Sequence, residues 1–214
     1  MQIELLFSKE KVPYPQAVEF MRKRVIDISS GNAPSCLWFL EHPSIYTAGR
    51  GAKAEELLQP NLPVYDSERG GKYTYHGPGQ RIVYLMLDLQ KIFRGQPDVA
   101  VFVKLLEDWI IKALSSFNIS AFARQGRVGV WVEQNQQEAK IAAIGIRMRR
   151  WVSLHGIALN VNPNLEYYQG IIPCGISEYS VTSVNKLNPT ITMNDCDKAL
   201  LNNFWQVFNY TQWT

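Results

Sequence analysis

VGVWVEQNQQEAKIAAIGIRMRRWVSLHGIALNV, from Val128 to Val161, decides the fold. It contains three apolar or alternating runs, Val128–Val132, Ile141–Ile146 and Leu154–Val161, separated by turn-length gaps. Runs of this length, rich in β-branched residues, read as strands. Gaps so short leave no room for a crossover helix, so the runs pair as antiparallel neighbours. The polar stretch EQNQQE, Glu133 to Glu138, reads as the exposed hairpin loop joining the first two.

Working outward, Ile3–Phe7, Cys36–Leu40 and Ile82–Leu87 have the same strand character. Three amphipathic segments interrupt them. Pro15 to Ser29 places Ala17, Met21, Val25 and Ile28 on one helical face, with Pro at the start and Gly31 just past the end. A second helix follows Asp98, a suitable N-cap, and carries Phe102, Leu105, Trp109, Ala113 and Phe117 inward. A third follows Asn194, with Cys196, Leu200, Phe204 and Val207 on one side. The expected class is α/β (α+β), a mixed, largely antiparallel sheet sandwich flanked by helices. No repeat, low-complexity tract or linker divides residues 1–214, which read as one domain.

Composition fits this. The chain is 46% hydrophobic and 19% charged over 214 residues, the profile of a folded protein. A net charge of +3 is too mild for a nucleic-acid partner but compatible with an acidic protein. The N-terminal MQIELLFSKEK lacks a signal pattern, and no run approaches the ~20 apolar residues of a membrane span, so a soluble, cytoplasmic protein is expected. Three cysteines without CxxC spacing suggest neither disulfides nor a metal site.

Three stretches carry candidate chemistry. RGGKYTYHGPGQ, Arg69 to Gln80, is either a tight turn or a ligand loop in which glycines let main-chain N–H groups approach a substrate. KIAAIG, Lys140 to Gly145, opens a strand with a lysine that either snorkels to solvent or, when desolvated, acts as a base or stabilises a thiolate. IIPCGI holds Cys174 between Pro and Gly, outside the periodicity that makes Cys36 and Cys196 read as core residues. A thiol on such a turn is accessible and suited to nucleophilic catalysis. His76 and His155, and less readily His42, are available as structural residues or as thiol partners. The basic run Arg147 to Arg150, RMRR, is a solvated strand end or a docking surface for an acidic partner.

Taken in order, RGGKYTYHGPGQ, KIAAIGIRMRRWVSLHGIALNVN, QGIIPCGI and VTSV resemble the octanoyl transferases, or lipoyl(octanoyl) transferases, from Glu41 to Val184. The resemblance implies an acyltransferase catalytic domain that shares its fold with lipoate-protein and biotin protein ligases and uses no metal or ATP. It implies transfer of an octanoyl group from acyl carrier protein to a lysine of lipoyl domains, those of 2-oxoacid dehydrogenases and of the glycine cleavage H protein. Cys174 would carry the acyl thioester and Lys140 would lower its pKa or take its proton. Substrate contacts carry over to Arg69, Gly70, Gly71, Lys72, Tyr73, Thr74, Tyr75 and His76, to Ala143, Ile144 and Gly145, and to Gly156, Ile157 and Ala158. Ala142, Ala143 and Gly145, facing the glycine-rich loop, would leave room for an acyl slot. Lys72 departs from the expected shorter or acidic residue and adds a cation near the pocket. The alternatives are an ATP-dependent lipoate or biotin ligase, and a carrier- or lipoyl-domain-binding module without catalysis.

Overall fold

The computed structural model describes residues 2–172 and 180–209. Strands β1 (Ile3–Phe7) and β2 (Ser35–Leu40) lie parallel, with α1 (Tyr14–Ser29) connecting them. A small sheet follows, β3 (Ile45–Ala48) flanked by β4 (Val64–Asp66) and β5 (Tyr73–His76). Then come β6 (Gln80–Met86), the single turn α2 (Leu89–Ile92), α3 (Val99–Ser115), and β7 (Ala121–Arg124), β8 (Arg127–Gln134), β9 (Gln137–Arg149) and β10 (Val152–Asn160). The two-residue β11 (Ser180–Val181), the single turn α4 (Val184–Leu187) and α5 (Met193–Asn209) complete the described chain. The large sheet has the order β1-β2-β6-β10-β9-β8-β7, antiparallel except for β1 with β2 and for β11, which joins β9 in parallel.

The fold class is the mixed, antiparallel-dominated sheet flanked by helices that the sequence implies. Alternation along each strand divides the core. Leu37 and Phe39 of β2 and Val83 and Leu85 of β6 face α3 and α5, while Trp38, Leu40, Ile82 and Tyr84 face the side of Met21 and Val25 on α1. Asp98 caps α3 by accepting the Ala100 and Val101 N–H groups. Phe117 lies beyond the end of that helix, and α5 begins at Met193, where Thr192 and Asp195 cap each other. A bidentate ion pair from Arg81 on β6 to Asp197 pins α5 to the sheet.

The Glu133–Glu138 loop is tighter than expected. Both glutamates lie in strands, and Asn135 and Gln136 alone make the turn, at φ 52° and 61°. Part of the glycine-rich stretch is also strand: β5 occupies Tyr73–His76 and pairs with β3. Strands β3, β4 and β7 are too short to show a clear period in sequence. Among the described residues, no helix is long and apolar enough to cross a membrane.

Candidate active site

A cavity of about 370 Å³ opens between the small sheet and the large one. This lies within the range of small-ligand sites, about 300–1,000 Å³. Ile82, Ala143 and Ala158 give it apolar wall, and Thr74 and His76 of β5 border the same space.

Lys140 is on that wall because β9 contains a bulge. Trp131 of β8 stands opposite Lys140 but Val130 stands opposite Ala142, so Ile141 is an extra residue. Strict alternation would put Lys140 on the face of Ala142, toward α3 and α5. The extra residue resets the phase. Ile141 and Ala142 both enter the core under α3, while Lys140, Ala143 and Gly145 border the cavity. Lys140 therefore does not snorkel: it is 7% exposed, its ammonium donates to the Val128 carbonyl at 3.1 Å, and Nζ lies 4.6 Å from the centre of the Trp131 ring. Gly129 makes room for it. A Cβ there would meet Lys140 Cε and Nζ at 3.3 Å and the Ala142 carbonyl oxygen at 2.8 Å, and its φ of +122° also favours glycine.

The Arg69 loop is stitched to both sheets. The Gly70 N–H donates to the Ile146 carbonyl at 3.0 Å, and Arg50 and Gly51 donate to the carbonyls of Arg69 and Gly71. The Arg69 guanidinium donates to the Thr47 carbonyl at 2.7 Å and to its hydroxyl at 2.9 Å. Its stem crosses Gly145, where a Cβ would come within 2.7 Å of Arg69 Cδ. Lys72 is ion-paired to the buried Glu56. Burial pushes the Glu56 carboxyl up, but hydrogen bonds from the Lys72 ammonium and the Lys53 N–H outweigh it and hold the group below its ordinary range. The main chain at Glu56 also accepts the Ile172 N–H at 2.8 Å, anchoring the chain just ahead of residues 173–179.

The histidines are buried and neutral. His76 has its tautomer fixed by a chain of amides. Asn160 donates to the Thr182 carbonyl at 3.0 Å, so its oxygen faces Gln80 and accepts from it at 2.9 Å. The Gln80 oxygen then faces His76 at 2.7 Å, and Nδ1 must carry the proton. Nε2 is left as an acceptor on a residue of the cavity wall. His42 donates from Nδ1 to the Val12 carbonyl at 2.6 Å and accepts the Tyr84 hydroxyl at Nε2, 2.7 Å away. Burial lowers the pKa of His42 to about 4 and that of His155 to about 3, and takes His76 well below its usual value. His155 has φ 61° within β10 and packs edge-on against Tyr84.

The structure thus brings Lys140, the segment from Arg69 to Thr74, His76, Ala143 to Gly145 and Gly156 to Ala158 around one cavity. Ile144 and Ile157 border it while their side chains pack toward α3 and α5. Gly156 is required by the sheet, since a Cβ there would collide with the Val83 carbonyl. Tyr75 is not on the wall: alternation along β5 sends it into a cluster with Tyr46, Tyr168 and Ile171. Cys174 lies in residues 173–179, outside the described residues. Gly129, Trp131 and Asn160 are not singled out by the sequence, and Gln80 stands there only as the end of the glycine-rich stretch. The lone glycine two residues before Trp131 in a strand pattern was the available signal of a bulge or close approach.

A mixed sheet of this kind flanked by helices is the fold of a known class of ligase catalytic domains. The sequence profile of the lipoyl protein ligase A/B catalytic domain matches residues 13–205. Among solved structures, lipoate-protein ligase A bound with ATP superposes with a TM-score of 0.74 at 16% identity, over 98% of this chain and 86% of that one. Biotin protein ligase from Aquifex aeolicus superposes with a TM-score of 0.54 at 13% identity, over 97% and 69%. These likenesses concern the fold. Among curated proteins, the octanoyltransferase of Bartonella quintana is 50% identical over 98% of this chain and 88% of its own length. That of Caulobacter vibrioides is 52% identical over 94% and 90%. The chain belongs to the octanoyltransferases of this family, acyltransferases that serve lipoate biosynthesis.

Proposed function

We propose that this chain, acting as one catalytic domain, takes an octanoyl group from octanoyl-acyl carrier protein onto Cys174 and passes it to a specific lysine of lipoyl domains. The acceptors are the lipoyl domains of 2-oxoacid dehydrogenases and the glycine cleavage H protein. In the first step the Cys174 thiolate attacks the carrier thioester, and the phosphopantetheine thiol leaves with a proton. In the second, the acceptor amine attacks the Cys174 thioester, an amide forms, and Cys174 regains its proton. Thioester to amide is downhill, so the reaction requires no nucleotide.

One observation carries the reading: the chain leaving residues 173–179 is laddered onto the strand of Lys140. Ser180 pairs with Ala139, Val181 with Lys140, and the Thr182 N–H donates to the Lys140 carbonyl at 3.0 Å. Val181 itself borders the cavity. The other two thiols are poor candidates, since burial pushes Cys36 and Cys196 each up to about 12. An ordinary thiol has a pKa of about 8.5, and each unit of depression needs about 1.4 kcal/mol, which a desolvated ammonium beside it can supply.

Intact-mass analysis after mixing with octanoyl-carrier protein tests this. Wild type acquires a hydroxylamine-labile octanoyl adduct on the Cys174 peptide, Cys174→Ser does not, and Lys140→Ala acquires it slowly. No adduct on wild type refutes the covalent route. An octanoyl-adenylate formed from ATP and free octanoate would favour the ligase reading instead.

A further inference from the structure

The Val128–Gly129 peptide stands between two charged side chains. Its carbonyl accepts from the Lys140 ammonium at 3.1 Å, and its N–H donates to Glu107 Oε1 at 3.0 Å. These are the two ends of one trans peptide, so its dipole runs from the carboxylate to the ammonium with each pole facing its opposite charge. Within β8 this peptide falls at an irregularity of the ladders. Arg127 pairs with Arg124 of β7 and Val130 with Ala123, and on the other side the β9 ladder begins at Val130, so Val128 and Gly129 have no partner in either register.

Glu107 has little other reason to be where it is. It lies on α3, 8% exposed, one residue from the core side chain Leu106 and two from Trp109 and Leu105. Among the described residues it makes no ion pair within salt-bridge distance. A carboxyl buried without a cation is costly unless a hydrogen bond compensates it. Burial raises the Glu107 carboxyl and Asp108 adds to that, while the Gly129 N–H and the Lys140 charge act in the opposite direction. Glu107 does not border the cavity.

We infer that Glu107 is a positioning residue for the acyl transfer, holding the Lys140 ammonium at the cavity wall through the Val128–Gly129 peptide. The carboxylate fixes the peptide's orientation and polarises its carbonyl, and the carbonyl fixes the ammonium. The inference rests on the reading of Lys140 as the group beside the Cys174 thiol, and the test separates the two.

The primary readout is the rate of Cys174 alkylation by iodoacetamide at fixed pH, resolved by peptide mass. Alongside it, kcat and KM are measured with octanoyl-carrier protein. Glu107→Leu should lower both the alkylation rate and kcat by about tenfold, the equivalent of one charge-assisted hydrogen bond, with KM unchanged. Glu107→Gln, which still accepts the Gly129 N–H but lacks the charge, should recover part of the loss. In a Lys140→Ala background Glu107→Leu should have no further effect. A wild-type rate for Glu107→Leu, or an equal loss in the Lys140→Ala background, overturns the inference.

If Lys140→Ala alkylates at the wild-type rate, the role given to Lys140 in the reaction fails. The bridge is then decided by NMR. The Gly129 amide proton should move upfield in Lys140→Ala as in Glu107→Gln if one peptide joins the two charges, and stay put in Lys140→Ala if it does not. The same resonance carries the test if Glu107→Leu does not fold.

Discussion

Acidification should unfold this protein through its histidines. His42, His76 and His155 are each held neutral by burial, with His42 and His76 only 5.9 Å apart between ring centres and Arg69 adding positive potential at His76 and His155. In the unfolded chain each titrates at about 6.5, whereas the folded values lie near 4 for His42 and near 3 for His155, and well below 6.5 for His76. Below pH 6.5 the unfolded state therefore binds protons that the folded state does not. The stability these residues contribute is complete above about pH 6.5 and is lost as pH falls toward the folded values. At pH 5 the difference is about 2 kcal/mol for His42 and about 2 kcal/mol for His155, about 4 kcal/mol together, and His76 adds to it in the same sense. A whole domain has only about 5–15 kcal/mol to lose. Glu107 and Asp197, whose carboxyls burial raises, act in the opposite sense and offset part of this near and below pH 5. Urea titrations at pH 7.5, 6, 5.5 and 5 would measure the loss, and the imidazole Cε1 resonances would report each residue. A stability change under about 2 kcal/mol between pH 7.5 and 5, or any histidine titrating near 6.5 in the folded protein, refutes the reasoning.

Three further perturbations have defined outcomes. Ala143→Leu adds three carbons to the cavity wall, and at about 0.8 kcal/mol per methylene it should move the preferred acyl group two or three carbons below octanoyl. Competition between octanoyl and hexanoyl thioesters reads this directly, and an unchanged ratio removes Ala143 from the acyl slot. Gly129→Ala should cost about 1–3 kcal/mol through its positive φ and displace Lys140, so kcat should fall more than the melting temperature explains. Asp197→Ala leaves the Arg81 charge buried and should destabilise by about 3–5 kcal/mol in urea, while Arg81→Met with Asp197→Leu should recover most of that.

Much of the architecture was legible because it follows the period of two and the period of 3.6. The β8, β9 and β10 strands and the cores of α1, α3 and α5 declare themselves by which residues are apolar. What escaped is where those periods break. KIAAIG read as an ordinary strand gives Lys140 the face of Ala142 and Ile144, which here packs toward α3 and α5. Only the extra residue Ile141 puts its ammonium on the wall with Ala143. That bulge is not written in KIAAIG. It depends on β8, where Gly129 lets the lysine stem pass and Val128 has a carbonyl free to receive it. Glu107 was hidden for a related reason, since its partner is a main-chain N–H and no spacing in α3 points to it. The amides fixing His76 likewise come from β6, β10 and the chain after β11, which meet only in the folded sheet. A strand's pattern shows which side its residues prefer, but a reactive group is often set against that preference. The deviation is then compensated by a different element, so a site built this way becomes visible only when the two are seen together.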